Sequence, residues 1–246
     1  GLIRFPGLFG AGAVGGCWRV RLWNPRDFAE GHYRRVDDRP FGGGPGMVML
    51  AEPLACCLAA IRADRAEALH AQAPLVLFSP IGERLDHAGV AQWAQSQQGA
   101  ILLCGRYEGV DQRFIDAEVQ RQISLGDFVL SGGEVPAMAL LDAVARLQPG
   151  VLHAAGSHQF DSFNPQLDGL LDCPHYTRPE VWRGQAVPPP LLSGHHAEIG
   201  RWRRAQSLQA TASQRPDLIA AARAQGRLTR QDEAVLEKLS MSERDP

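Results

Sequence analysis

The fold is decided by the stretch Ala100-Ile-Leu-Leu-Cys-Gly-Arg-Tyr-Glu-Gly-Val-Asp-Gln-Arg113, in which an apolar run changes abruptly into a glycine-rich loop. Such a run followed by glycine is typical of a buried strand that ends at the ligand-binding edge of an α/β sheet. A second apolar run, at 75–78, has the same character. Helical patterns separate the runs, and this alternation predicts an α/β domain with a mainly parallel sheet.

Apolar spacing along the rest of the chain predicts the other elements. Strands are predicted at 20–23, 75–78 and 100–104, and helices at 52–65, 89–97, 135–147, 197–210, 216–224 and 230–239. Pro136 falls in the first turn of its helix, where a missing N–H costs little. Thr229-Arg-Gln-Asp232 approximates a capping box for the last helix.

Composition divides the chain into three parts. Residues 1–153 carry the strand–helix alternation and form the predicted α/β domain. Residues 154–172 are small and polar without periodicity, which predicts a flexible connection. Residues 173–246 predict a small helical domain.

Bulk properties restrict the class of protein. The 246 residues are 45% hydrophobic and 21% charged, which is an ordinary globular balance. No apolar run reaches the length of a membrane span, and we expect no leader peptide. The five cysteines are odd in number and form no C-x-x-C pair, which predicts a reducing, cytoplasmic location. The net charge of −2 gives nucleic-acid binding no support, so any RNA surface must be local.

Three glycine-rich loops are the candidate ligand-binding elements. The first loop is 37–47, the second loop is 104–113 and the third loop is 124–136. Glycine lets the backbone approach a ligand closely, so two such loops that flank strands are expected to form the walls of one pocket. None of them is a phosphate-binding P-loop or a dinucleotide fingerprint. For any single loop, an ordinary tight turn remains the alternative.

The three loops, in this order, resemble those of the bacterial tRNA (guanine-N1)-methyltransferases, which belong to the knotted (SPOUT) methyltransferase superfamily. Further matching segments are 79–86, 170–179 and 192–199, and the likeness extends from about Trp23 to about Leu208. The beginning departs from the family pattern. Its element at 5–9 is present, but the stretch up to Trp23 is short and rich in glycine.

The resemblance implies a deep trefoil knot near the end of the α/β domain and a homodimer whose active sites are built from both chains. It implies S-adenosylmethionine as methyl donor, magnesium as a second candidate cofactor, and N1 of guanine 37 of tRNA, beside the anticodon, as acceptor. The residues implied in donor binding are Phe78, Ser79, Pro80, Gly105, Tyr107, Glu108, Ser124, Leu125, Gly126, Phe128, Leu130, Gly132, Gly133 and Pro136.

The catalytic candidates follow from the chemistry and the resemblance together. Guanine N1 must lose a proton to become nucleophilic, and a carboxylate in reach serves as general base. Asp161 matches the family's catalytic aspartate and Arg146 its active-site arginine, with Ser157 as a weaker candidate. The alternatives are a solvated loop aspartate and, for Arg146, a helical ion pair with Asp142.

The RNA-binding candidates are cationic residues with aromatic neighbours. Arg201, Arg203 and Arg204 surround Trp202 on a predicted helix, and Arg178 precedes them. A solvated helix face is the alternative. The resemblance places Pro45 and Gly46 of the first loop close to the target base. No metal site is predicted, because the eight histidines show no ligand spacing.

Two other functions remain open at this point. One is a knotted methyltransferase that acts on ribosomal RNA or on another atom. The other is an RNA-binding module without catalysis, which would need neither Asp161 nor Arg146 beside intact pocket loops.

Overall fold

The computed structural model describes residues 20–66, 73–96, 98–151 and 159–242. The chain separates into two compact units, Gly1–His153 and Ala154–Pro246. No helix among the described residues is long and apolar enough to span a membrane. The element at 5–9 and Ser157 lie outside the described residues.

The first unit contains four described α-helices and five strands. The helices are α1 (Ala51–Ala66), α2 (His87–Gln95), α3 (Gln112–Glu118) and α4 (Glu134–Arg146). The strands are β1 (Asp37–Asp38), β2 (Val48–Met49), β3 (Leu75–Arg84), β4 (Ile101–Leu103) and β5 (Arg121–Ser124). A 3-10 helix, Pro25–Phe28, precedes them.

A parallel three-stranded sheet in the order β4–β3–β5 forms the centre of the first unit. The first four residues of its middle strand, 75–78, are buried on both faces, as is usual for parallel sheets. Leu75 and Leu77 pack into one apolar cluster together with α1. Val76 and Phe78 pack into a second cluster together with α4. The predicted α/β domain with a parallel sheet is therefore confirmed.

The middle strand is irregular where it passes β5. Both Phe78 and Glu83 take Ile123 as their partner, so the chain between them departs from the ladder and then returns to it. A Cβ at Gly82 would lie 2.5 Å from the backbone nitrogen of Ile123. Only glycine permits this approach of one strand to the other.

The second unit is helical. Its α-helices are α5 (His196–Gln214), α6 (Pro216–Ala224) and α7 (Arg230–Ser242). A two-stranded hairpin, β6 (Val181–Trp182) and β7 (Gln185–Ala186), and two 3-10 helices, Pro165–Leu167 and Pro189–Leu192, complete it. Leu170 and Leu208 are fully buried in its core. The predicted capping box is present, because the Thr229 N–H donates to Asp232 and the Asp232 N–H donates to Thr229.

All six predicted helices are present, with ends that differ by at most four residues. The predicted strand at 20–23 is wrong. Its side chains are largely exposed, and Arg21 stacks on the ring of Trp23 at 4.5 Å and pairs with Asp64. Residues 20–23 pair with no strand among the described residues. Sequence analysis also missed α3 and β5, although Asp111 caps α3 by accepting from the Arg113 N–H.

Candidate active site

The first and second loops are joined through their backbones. The Glu108 N–H donates to the Met47 carbonyl at 3.0 Å, and the Met49 N–H donates to the Gly109 carbonyl at 2.9 Å. Gly46 has a φ of +83° and lies against Glu108, so a Cβ there would be 2.5 Å from the Glu108 Cγ. The positive φ therefore favours glycine at Gly46, and any side chain there would also displace the exposed Glu108 side chain.

The second and third loops are joined more tightly. The Gly133 N–H donates to the Gly105 carbonyl at 3.0 Å, and Arg106 forms an isolated antiparallel bridge with Gly132. A Cβ at Gly133 would lie 2.6 Å from the Cα of Cys104. Because this neighbour is backbone, no side-chain rotation can relieve the clash. The second and third loops thus meet where β4 and β5 end.

The third loop also holds its own shape. The Ser124 hydroxyl is buried, accepts from the Gly126 N–H and donates to the Gly126 carbonyl, with both distances 3.1 Å. Gly126 has a φ of +152°, and the ring of Phe128 closes over it. This local closure fixes the loop that follows β5.

The predicted donor-binding residues of the second and third loops therefore follow the carboxyl ends of β4 and β5, where α/β proteins bind ligands, while Phe78, Ser79 and Pro80 lie within β3. Phe78, Ser124, Gly126, Gly133 and Pro136 are buried. The side chains that face solvent are Pro80, Tyr107, Glu108, Phe128 and Leu130, while Ser79, Gly105, Leu125 and Gly132 are half-buried. Two surface cavities, of about 130 and about 490 Å³, have other linings, chiefly α2 with β5 and α5 with residues 172–174. Because neither cavity is lined by the predicted donor-binding residues, the candidate site is defined by the contacts among the loops.

The thiol of Cys104 lies within this site and is unreactive at neutral pH. Burial and the nearby carboxylate of Glu134 raise its pKa to about 11, and the guanidinium of Arg106 only partly opposes that shift. A thiol with such a pKa carries almost no thiolate at neutral pH, and thiolate is the nucleophilic form. The site is therefore unsuited to covalent catalysis through Cys104.

Arg146 and Asp161 belong to different units. Arg146 is the last residue of α4 and is half-buried. Asp161 is also half-buried and lies at the start of the second unit, where its carbonyl accepts from the Asn164 N–H at 3.2 Å. The segment after Asp161 is anchored, because the Phe163 N–H donates to the Leu170 carbonyl at 2.9 Å and Leu170 is fully buried.

The arginines of α5 differ sharply in environment. Arg201 and Arg203 are exposed. Arg204 binds both carboxylate oxygens of Asp232, at 2.9 and 3.0 Å, and also pairs with Asp168 at 2.8 Å. The hydrogen bonds that Arg204 donates to the Asp232 carboxylate are the main cause that raises the pKa of Arg204. Arg204 thus has its charge satisfied inside the second unit.

The remaining RNA-binding candidates are exposed. Arg178 precedes the β6–β7 hairpin, and Pro45 and Gly46 lie on the surface of the first loop. Near Arg203 on α5, Trp202 meets the ring of Tyr176 edge-on, with 6.0 Å between ring centres. Cationic and aromatic side chains therefore occur together on the second unit.

Sequence analysis missed one cluster of potential metal ligands. The ligand atoms of Asp172, Cys173 and His175 lie within 4.8 Å of one another, and the His175 imidazole bonds to the Asp172 carboxylate at 2.8 Å. Sulfur and imidazole ligands do not suit magnesium, which prefers oxygen atoms in an octahedron. This cluster therefore does not fit the magnesium that the resemblance implies.

Comparison with known proteins agrees with the family resemblance of the glycine-rich loops. A family model described as tRNA (Guanine-1)-methyltransferase TrmD matches residues 7–221. The chain is 77% identical over 221 residues to a tRNA (guanine-N(1)-)-methyltransferase of Paracidovorax citrulli, which covers 90% of this chain and 86% of the relative. It is 68% identical to the protein of that name from Polaromonas sp., covering 96% and 94%. For Bordetella pertussis the identity is 57%, covering 98% and 93%.

Proposed function

The chain belongs to the tRNA (guanine-1)-methyltransferase family, and we propose that it transfers a methyl group from S-adenosylmethionine to N1 of guanine 37 of tRNA, beside the anticodon. The observation that carries this function is the identity of 77% over 221 residues to a relative of that name. The contacts that join the three glycine-rich loops support it, because most of the predicted donor-binding residues belong to the second and third loops.

The donor site is built from backbone. The backbones of Gly126 and Gly133 are already bonded, to Ser124 and to Gly105, and these contacts fix the shape of the two loops that we propose to hold the donor. The close approach of Gly133 to Cys104, and of Gly82 to β5, supports a chain wound tightly on itself at this edge. A trefoil knot of the SPOUT type, formed by these segments, is part of the proposal.

The reaction needs deprotonation and charge stabilisation from this chain. S-adenosylmethionine supplies an electrophilic methyl carbon on a sulfonium. The Asp161 carboxylate takes the proton from guanine N1, and the N1 electron pair forms the new bond to carbon while the old carbon–sulfur pair returns to sulfur. Arg146 stabilises the negative charge that develops on the guanine O6. The cluster of Asp172, Cys173 and His175 does not fit magnesium, and no residue of the proposed mechanism is assigned to hold that ion.

The site is proposed to be completed by a second copy of the chain. Around the carboxyl edge of the sheet, large apolar side chains face solvent, and these are Ile81, Phe128, Val129, Leu130 and Val135. Exposed apolar patches of this kind mark protein interfaces. A homodimer that covers this edge would bury the patch and exclude water from the donor.

The second unit is proposed to bind tRNA. Arg201 and Arg203 on α5, together with Arg178, offer cations for phosphate, and the first loop offers Pro45 and Gly46 near the target base. We assign Arg204 to the stability of the unit instead, because two carboxylates already bind it. The cytoplasm, where tRNA is processed, is the expected compartment.

The test is incorporation of labelled methyl from S-adenosylmethionine into three unmodified RNAs. The first is a tRNA transcript with guanine at position 37, the second the same transcript with adenine there, and the third a ribosomal RNA fragment. We expect label in the first only. Label in the ribosomal fragment would support the other knotted methyltransferase function, and RNA binding without label would support a binding module.

A further inference from the structure

Arg106 lies at the point where the first, second and third loops meet, although no function has so far been given to it. Its backbone N–H approaches the Met49 sulfur at 3.3 Å, next to the end of the first loop. Its backbone also bridges Gly132 of the third loop. The Arg106 side chain then spans the same seam, because its Nε donates to the Glu134 carboxylate at 2.9 Å.

Glu134 is suited to hold this arginine. It is in the first turn of α4, where a negative charge interacts favourably with the helix dipole. Gly132 lies beneath the pair, and a Cβ there would be 2.5 Å from the Glu134 Oε2 and 2.8 Å from the Arg106 Nε. The two charged side chains therefore close over a glycine that is itself predicted to contact the donor.

We propose that the Arg106–Glu134 ion pair is a positioning clasp, which holds the second and third loops at the spacing that S-adenosylmethionine binding requires. The inference rests on the proposed function. Arg106 acts through the loops rather than by touching the reacting atoms, so its loss weakens donor binding and leaves the chemical step intact. The side chains of the pair are 51% and 42% exposed, so the pair contributes little to overall stability.

The first experiment measures donor affinity by calorimetry and the single-turnover rate at saturating donor and tRNA. Arg106→Ala is expected to raise the Kd for S-adenosylmethionine about tenfold, in the range found for coupled neighbours, with a nearly unchanged saturated rate and Tm. Arg106→Lys is expected to recover part of the affinity. Arg62→Ala is the matched control, because Arg62 pairs with Glu118 at 2.8 Å and joins α1 to α3 in the same unit. The control is expected to keep wild-type donor affinity.

The second experiment exchanges the charges. Arg106→Glu and Glu134→Arg are each expected to weaken donor binding, and the double variant is expected to regain part of it, because the ion pair is restored while a cation now lies at the start of α4. An unchanged Kd in Arg106→Ala would overturn the clasp, as would a slowed saturated rate at unchanged Kd or a double variant without recovery. Failure of the wild-type protein to bind S-adenosylmethionine would contradict the proposed function itself, and the two failures are thereby distinguished.

Discussion

In the first unit the candidate donor site is made of backbone, whereas in the second unit the candidate RNA surface is made of side-chain charge. The donor loops meet through N–H and carbonyl groups at glycines such as Gly105, Gly109 and Gly133. The RNA surface consists of exposed guanidinium groups on α5, at Arg201 and Arg203. A single substitution in the first region should therefore have a large effect on binding, because it changes the space and geometry of the loops. In the second region the effect on binding should grow with the number of charges removed.

A smaller contrast within α5 shows the same rule. Arg203 and Arg204 are neighbours in sequence, yet one faces solvent and the other lies between Asp168 and Asp232. Residue type alone does not assign a role, since an arginine with paired charge stabilises the unit and an exposed arginine is available to a phosphate.

The largest effect is expected from Asp161→Asn. The amide keeps the shape of the side chain but cannot take the guanine proton, and loss of a positioned base costs about 10²–10⁴-fold in rate. Single-turnover methyl transfer measures the loss, with binding of donor and tRNA measured separately. Asp116→Asn, an exposed acid on α3 bonded to Gln112, is the control and should transfer at the wild-type rate. Near wild-type transfer by Asp161→Asn would move the base to another residue.

The next effect in size is expected from Gly133→Ala. The added Cβ would meet the Cα of Cys104 at 2.6 Å, and overpacking of this kind typically costs about 1–3 kcal/mol of stability. Because the clash lies at the seam between the second and third loops, donor affinity should fall as well. Gly200→Ala on α5 is the matched control, since no atom lies within 4 Å of its added Cβ. Calorimetric titration with S-adenosylmethionine compares the two. Equal donor affinities would show that the seam between the loops tolerates side chains.

Removal of Arg204 is expected to destabilise the second unit without acting on the donor. Arg204→Ala leaves the Asp232 carboxylate, only 6% exposed, without its main cation, and breaking buried pairs costs up to about 3–5 kcal/mol. Because Arg204 is itself partly exposed, we expect about half that loss in the free energy of unfolding, measured in urea. A fall in tRNA affinity at unchanged stability would instead return Arg204 to the RNA surface.

Acid is expected to weaken the same contact. Burial alone would raise the pKa of Asp232, but hydrogen bonds from Arg204 and Thr229 outweigh it and lower that pKa. A depressed carboxyl pKa contributes stability above the unfolded value, and this contribution is lost as pH falls through the folded value. Unfolding of the second unit, followed by circular dichroism below about pH 4, should therefore show less loss of stability in Arg204→Ala than in the wild type. Parallel pH curves would contradict this.

The smallest effect is expected from Arg201→Ala/Arg203→Ala. Each lost phosphate contact should reduce the slope of log affinity against log salt by about one and weaken tRNA binding a fewfold. The control is Arg215→Ala/Arg223→Ala, which removes two cations already paired with Asp217 and Glu233. Both double variants change the net charge equally. If the two salt series coincide with each other, the α5 arginines form only a solvated helix face.

Local patterns predicted the fold where one residue type decides the structure. The bounds of α6 were predicted correctly because Pro216 starts the helix and apolar spacing continues to Ala224. The glycine loops were visible for the same reason. By contrast, β5 contains one strongly apolar residue, Ile123, among Arg121, Gln122 and Ser124, so its burial comes from its neighbours in the sheet.

The candidate site shows the same limit. Arg106 and Glu134 are 28 residues apart, and only the folded sheet brings them together. Arg204 carried a usable signal, because it lies one turn before the buried Leu208 on the same face of α5. Its two carboxylate partners, however, come from distant parts of the second unit, so no local pattern could identify them.

The most direct test of the account is the identity of the nucleoside that the enzyme makes. Unmodified tRNA with guanine at position 37 is incubated with S-adenosylmethionine and digested, and the methylated nucleoside is identified by chromatography and mass spectrometry against standards. The account predicts 1-methylguanosine, formed at position 37 and formed far more slowly when Asp161→Asn replaces the wild-type chain. Methyl on another atom of guanine, or on another nucleoside, would contradict it.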